Sequence, residues 1–157
     1  MKRPKGYEKL LKLASRHPRP SPWWHRPDYA DPEYSRRFYR GCESAAAPGE
    51  GELEFFEALV RPGQSLLDVG CGGGAFARAM AQRGVRVTGI DLGPYPIEQA
   101  QGLSREASVE ADWICGNILE HNFGRQFDCI TLLGTQLQEF PPEELEELFR
   151  KVHSLLA

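Results

Sequence analysis

At 157 residues, with 41% hydrophobic and 26% charged side chains, the chain has the size and balance of one globular domain, which excludes a disordered or fibrous protein. No stretch approaches the ~20 consecutive apolar residues of a membrane-spanning helix, and the formal charge is only −3. That small total hides an asymmetry: residues 1–40 carry 11 Lys and Arg against 4 Asp and Glu, whereas residues 41–157 carry 8 against 18.

The basic amino-terminal segment begins Met1-Lys2-Arg3-Pro4-Lys5 with no apolar signal region after it, so a cytoplasmic protein is expected. Tyr7, Leu10, Leu11 and Leu13 recur at near-helical spacing and predict a short amphipathic helix over 7–14. Residues 17–22 hold three prolines and read as an extended linker leading to the aromatic cluster Trp23-Trp24-His25. Asp31-Pro32 is a helix start, with Asp31 as N-cap and Pro32 at the first position, and Tyr34, Phe38 and Tyr39 fall on one face of that helix. A basic arm of this kind contacts nucleic acid or an anionic substrate, or folds back on its own domain. The apolar and aromatic residues that interrupt it favour the second. Residues 1–50 are thus read as an arm and linker, and 51–157 as the folded domain. A helix over 52–60 precedes its first strand.

Leu66, Leu67 and Val69 make the short apolar run of a central parallel strand. Gly70, Gly72, Gly73 and Gly74 follow, free to take positive φ and without a Cβ to hold a ligand away. A helix over 75–82 comes next, stopped at Gly84, its N-terminus offering free N–H groups. The second strand, Val85 to Ile90, ends in Asp91, 17 residues after Gly74, where a carboxylate can accept from ribose hydroxyls. Gly70 to Ala75 also fits the looser dinucleotide pattern G-x-G-x-x-G/A. An acid two residues before Gly70 would oppose a pyrophosphate, however, and Asp68 suits a ligand with a cationic amino group. The pattern therefore favours S-adenosylmethionine over a dinucleotide, and both over a turn that only packs helix on strand.

The remaining elements are strands over 112–115 and 128–133 and a final helix after Pro141-Pro142. Leu145, Leu148, Phe149, Val152, Leu155 and Leu156 stripe that helix, and Glu143, Glu144, Glu146 and Glu147 load its start. Cys42, Cys71, Cys115 and Cys129 form no C-x-x-C pair; they are expected to be reduced, with no metal site. Asp128 is expected to be a structural acid. His25 and His121 lack an orienting acid at any telling spacing, and no catalytic residue is assigned. Residues 134–140 fall at the carboxyl end of a strand, where an acceptor would sit.

Four segments together resemble the class I S-adenosylmethionine-dependent methyltransferases: Leu67 to Gly74, Val87 to Pro94, Cys115 to Ile118, and Phe127 to Gly134. The family more often has serine at Gly93 and aspartate at Asn117. The resemblance implies a Rossmann-like, three-layer αβα fold with strand order 3-2-1-4 within this chain. It implies S-adenosyl-L-methionine as cofactor, S-adenosyl-L-homocysteine as product and a small-molecule acceptor. Position by position, it places Asp68 and Gly70 near the methionine amino group, with Gly72 letting the backbone pass close. Asp91 is placed at the ribose, Leu92 against the adenine, and Asn117 and Ile118 at the adenine amine; Cys71 and Leu133 complete the set. Helices before the first motif often form a lid in this family, which makes Trp23, Trp24, Tyr34, Phe38 and Tyr39 lid candidates.

The family's sheet has seven strands in the order 3-2-1-4-5-7-6, and four are legible here. Strand four is then an edge, a template for another chain. The expectation is a homodimer through that edge, or through exchange of elements across it. A cofactor-holding or partner-binding module without catalysis is the alternative to an active enzyme, and nucleic acid is the less favoured partner of the basic arm.

Overall fold

The computed structural model describes residues 31–40, 48–134, 137, 140 and 142–157, except the side chains of residues 142 and 143. The expected helix over 7–14, Trp23, Trp24, His25, Cys42 and parts of the 134–140 loop lie outside the described residues. The elements are α1 (Pro32–Tyr39), α2 (Glu50–Leu59), β1 (Ser65–Val69), α3 (Ala75–Gln82), β2 (Arg86–Asp91), α4 (Pro94–Glu106), β3 (Asp112–Cys115), β4 (Cys129–Leu132) and α5 (Pro142–Leu155).

The four strands form one parallel sheet in the order β3-β2-β1-β4. β1 sits inside it and is buried along its whole length, as its apolar run requires. Alternate residues of β1 serve opposite faces. Leu66 packs with Leu53 and Phe56 of α2 and with Ala77 and Met80 of α3. Leu67 and Val69 pack on the other side with Phe127 and with Leu148 and Leu155 of α5. The sheet is therefore sandwiched between helices, a Rossmann-like α/β domain as expected. α5 buries the inner part of its predicted stripe, but Phe149 stays 56% exposed because it lies at the margin of the arc that Leu148, Val152 and Leu155 turn to the sheet.

Local rules account for the boundaries. Asp31 caps α1, its Oδ1 accepting from the Tyr34 N–H at 2.7 Å. Gly84, at φ +85°, ends α3 in the left-handed region. Strand β4 is shorter than predicted, because Asp128 lies ahead of it. The Asp128 carboxylate instead accepts from the Ser65 N–H (2.7 Å) and hydroxyl (2.6 Å), which holds its pKa below the ordinary carboxylate value and ties the start of β4 to β1. Leu156 forms a parallel bridge beside Phe127, just before β4, on the edge away from β1. Beyond that bridge, Cys129–Leu132 pairs with β1 alone among the described residues.

Helix α1 lies against α4. Its Ser35 is fully buried, and the Ser35 hydroxyl accepts from the Tyr95 N–H at 3.4 Å. That seating explains Gly93: a Cβ there would come within 2.8 Å of Pro96 Cγ and 3.0 Å of Ser35 Oγ.

Candidate functional site

The carboxyl ends of β1 and β2 bring the two predicted acids together around the glycine turn. Parallel pairing sets Asp68 beside Gly89 of β2 and Thr131 of β4. Asp91, one residue beyond the β1 register, pairs with Cys115 of β3. Between them Gly70, Gly72 and Gly74 all take positive φ, at 69°, 53° and 73°. These left-handed values strain any side-chain-bearing residue, so the glycines are required by the path of the turn. A Cβ on Gly72 or Gly73 would meet nothing within 4 Å, so the turn presents bare backbone to open space. Gly134, past the end of β4, is equally open.

Asp91 is held tightly. Its Oδ2 accepts from the Gly72 N–H at 2.9 Å, and its Oδ1 accepts from the Gly93 N–H at 2.8 Å and the Tyr39 hydroxyl at 3.4 Å. Burial raises its pKa, and those donors work against the rise. Asp68 is 4% exposed and accepts the Thr131 hydroxyl at 2.8 Å. Burial pushes its pKa up to about 7; Thr131 opposes the shift and the charge of Asp91 adds to it. The Cys71 thiol is raised by burial and by both carboxylates, so it is protonated at neutral pH.

The Asp68 shift is also a statement about stability. Below pH 3.8 the group is protonated in folded and unfolded chains alike. Between 3.8 and about 7 the folded chain keeps a proton that the unfolded chain has lost, so stability falls as pH rises through that window and levels off above it. Urea titrations of the ligand-free chain at pH 5 and pH 8 should show this loss, and Asp68→Asn should flatten the profile. Equal slopes in the two proteins would show that Asp68 ionises as it does in water.

The other predicted residues divide. Leu92 is half-buried beside Asp91. Asn117 spends its Oδ1 on the Leu119 N–H at 3.0 Å, a local turn, and its Nδ2 lies 3.5 Å from Glu120 Oε1. Ile118 is 5% exposed and belongs to the core under α5. Leu133 packs on the core with α2 and α3. Two residues were not among the predicted cofactor contacts: Thr131, fixed on Asp68, and Tyr39, expected only as part of a lid and found donating to Asp91. Tyr34 and Phe38 stack on each other at 6.0 Å on the outer side of α1.

The fold and site define a class: a Rossmann-like nucleotide-binding domain with a glycine turn after β1 and an acid at the end of β2. The family described as the methyltransferase domain matches residues 66–157. The chain belongs to that family, and S-adenosyl-L-methionine is the cofactor that goes with it. A ubiquinone biosynthesis O-methyltransferase of Pseudomonas entomophila is 45% identical over 79 residues, covering 49% of this chain and 34% of that protein. The chain thus spans about a third of the length of the curated relatives it matches. Among solved structures, a TehB-like SAM-dependent methyltransferase from Corynebacterium glutamicum superposes with a TM-score of 0.63 at 26% identity. That match covers 83% of this chain and 68% of the other. A Pyrococcus abyssi tRNA (uracil-54, C5)-methyltransferase in complex with S-adenosyl-L-homocysteine gives 0.51 at 25% identity, covering 63% and 24%.

The residues present fit this cofactor. A buried carboxylate poised to ionise suits an ammonium group, a second carboxylate suits vicinal hydroxyls, and the open glycine backbone leaves room between them. No helix among the described residues is long and apolar enough to cross a membrane.

Proposed function

We propose that the chain transfers a methyl group from S-adenosyl-L-methionine to a small-molecule acceptor. The observation that carries this reading is the pair Asp68 and Asp91, buried at the ends of adjacent strands on either side of the glycine turn. When bound, the cofactor would supply an electrophilic sulfonium methyl group for an in-line displacement. The chain's own part is to hold and orient. Asp68, steadied by Thr131, faces the ammonium end, and Asp91 accepts from the sugar hydroxyls. The turn of Gly70 and Gly72 lets the backbone lie close, and Leu92 covers the base. Positioning of this kind accounts for most of what an in-line displacement needs.

The titration of Asp68 gives this placement a sign. An ammonium ligand requires the ionised carboxylate, so binding below about pH 7 must release a proton. Affinity for S-adenosylhomocysteine should rise by up to about tenfold per pH unit from 5.5 towards 7 and then level off. Calorimetry in buffers of different ionisation heat reads both affinity and proton count. An affinity independent of pH in the native chain would remove Asp68 from the amino end.

The names of the curated relatives put oxygen first among the acceptor atoms to test. With methyl-labelled cofactor and a panel of phenols, amines and thiols, label should appear on an acceptor in step with S-adenosylhomocysteine. Binding of S-adenosylhomocysteine without transfer to any acceptor would leave the non-catalytic module as the reading.

We further propose that two copies pair through β4. The support is the open edge of Cys129–Leu132, which among the described residues pairs with β1 alone, the Leu156 bridge lying ahead of it at Phe127. Light scattering after size exclusion should give twice the 17.7 kDa chain mass at micromolar concentration, and a clean monomer would end the proposal.

A further inference from the structure

Asp68 and Asp91 are held by different kinds of partner. Asp91 takes the N–H groups of Gly72 and Gly93, which can only donate, so these two partners favour the anion. Among the described residues, the one hydrogen-bond partner of the Asp68 side chain is the Thr131 hydroxyl, 2.8 Å from Oδ1. The same hydroxyl oxygen lies 3.4 Å from the Leu67 carbonyl oxygen. A hydroxyl carries a single proton, so it donates to one of these acceptors at a time, and its lone pairs can accept from a protonated carboxyl. Register fixes the arrangement: Thr131 on β4 pairs with Asp68 on β1, and the two side chains are 5% and 4% exposed. The helices covering that face of the sheet, α2 and α3, turn Leu53, Phe56, Ala77 and Met80 to it.

We infer that Thr131 is the positioning residue of the amino-end carboxylate, its hydroxyl turning between Leu67 and Asp68 so that Asp68 is satisfied both as a neutral acid in the ligand-free chain and as an anion once an ammonium group is bound. The inference rests on the methyltransferase reading above and names how that site adapts to loading. In the ligand-free chain the Asp68 O–H donates to Thr131 Oγ1, and the Thr131 O–H donates to the Leu67 carbonyl oxygen. When an ammonium group arrives, Asp68 gives its proton to solvent, the hydroxyl rotates, and the Thr131 O–H donates to the Asp68 anion. Only the hydroxyl hydrogen has to move. A backbone N–H in that place would favour the anion alone and leave a buried charge uncompensated in the ligand-free chain. The charged neighbours fit this division. Asp91, across the turn, disfavours a second anion until the ammonium group offsets it. The Cys71 thiol is protonated, and Arg78 of α3 is turned to the Gly73 carbonyl. Among the described residues, no cation therefore stands beside Asp68 in place of the ligand.

The test is the pH dependence of the full chain carrying Thr131→Val, which keeps the side-chain volume and removes the hydroxyl. A hydrogen bond to a charged group is stronger than a neutral one, so the anion loses more than the acid, and the ionisation of Asp68 should move up by about 0.5–1 pH unit. In calorimetry with S-adenosylhomocysteine, affinity should then lie about three- to tenfold below native at pH 6 and match native at pH 9. Thr131→Ser should restore the native profile. Thr131→Ala, smaller and equally without a hydroxyl, should shift it in the same direction as valine. On an Asp68→Asn background, Thr131→Val should produce no pH-dependent change. Urea titrations of the ligand-free chains read the same event: stability of the valine chain should go on falling with pH past about 7, where the native chain levels off. An unshifted profile in both hydroxyl-free variants, a loss of affinity equal at every pH, or a serine chain that titrates like the valine chain would overturn the inference. Failure of the native chain to bind S-adenosylhomocysteine would strike the methyltransferase reading, and the ligand-free urea profiles would still decide the role of Thr131.

Discussion

Asp91→Ala should weaken S-adenosylhomocysteine binding by about 1–3 kcal/mol, a loss of roughly 5- to 150-fold, because the sugar hydroxyls lose a charged acceptor. The side chain has two duties, and the variants must separate them. Its oxygens also take the Gly72 and Gly93 N–H groups and the Tyr39 hydroxyl, so alanine leaves three donors without their acceptor. Loosening of the glycine turn would then add to the loss of affinity. Asp91→Asn keeps the shape and one acceptor oxygen but removes the charge that burial already disfavours. Its Nδ2 then faces the N–H of Gly72 or Gly93, so the asparagine chain should keep more stability than the alanine chain and still bind at least tenfold more weakly than the native one. Tyr39→Phe works in the opposite direction. Its hydroxyl occupies Oδ1 in the ligand-free chain and competes with the sugar, so removing it should leave affinity unchanged or raise it by a few fold. Native affinity in Asp91→Asn, measured by calorimetry, would put the ribose elsewhere.

What the sequence made legible follows a physical pattern. The strand order and the glycine turn were readable because each rests on neighbours in the chain: an apolar run, a cluster of residues free to take positive φ, an acid at a strand end. The cap of α1 was readable for the same reason, since Asp31 and Tyr34 are three residues apart. Thr131 was not, because its contact with Asp68 spans 63 residues and depends on the β1–β4 register. Tyr39 reaches Asp91 across 52 residues through the seating of α1 on α4, which no periodicity encodes. Asparagine commonly turns back on the N–H two residues ahead, and Leu119 stands two residues after Asn117, so that turn was legible for the same local reason as the cap of α1.

Trp113 is another residue whose role only the register reveals. It lies on β3 opposite Gly89 of β2, and its ring covers the spots where Gly89 and Gly74 would carry a Cβ. Its indole N–H donates to the buried Ser104 hydroxyl at 3.1 Å, which fixes the ring in that place. A Cβ on Gly89 would come within 2.5 Å of Trp113 Cζ3 and 2.8 Å of Cys71 Sγ, in a strand position where φ itself poses no obstacle. Gly89→Ala should therefore cost about 1–3 kcal/mol by overpacking alone. The effect is testable as a coupling. Trp113→Leu vacates the ring volume and costs stability on its own, but Gly89→Ala added to it should cost less than half of what it costs in the native chain. Denaturant titrations of the four proteins measure the cycle. Because the ring also abuts the turn at Gly74, Gly89→Ala should weaken S-adenosylhomocysteine binding as well, and Trp113→Leu should restore part of it. Additive costs in the cycle would mean that Trp113 swings clear at no expense and that the glycine at 89 answers to Cys71 instead.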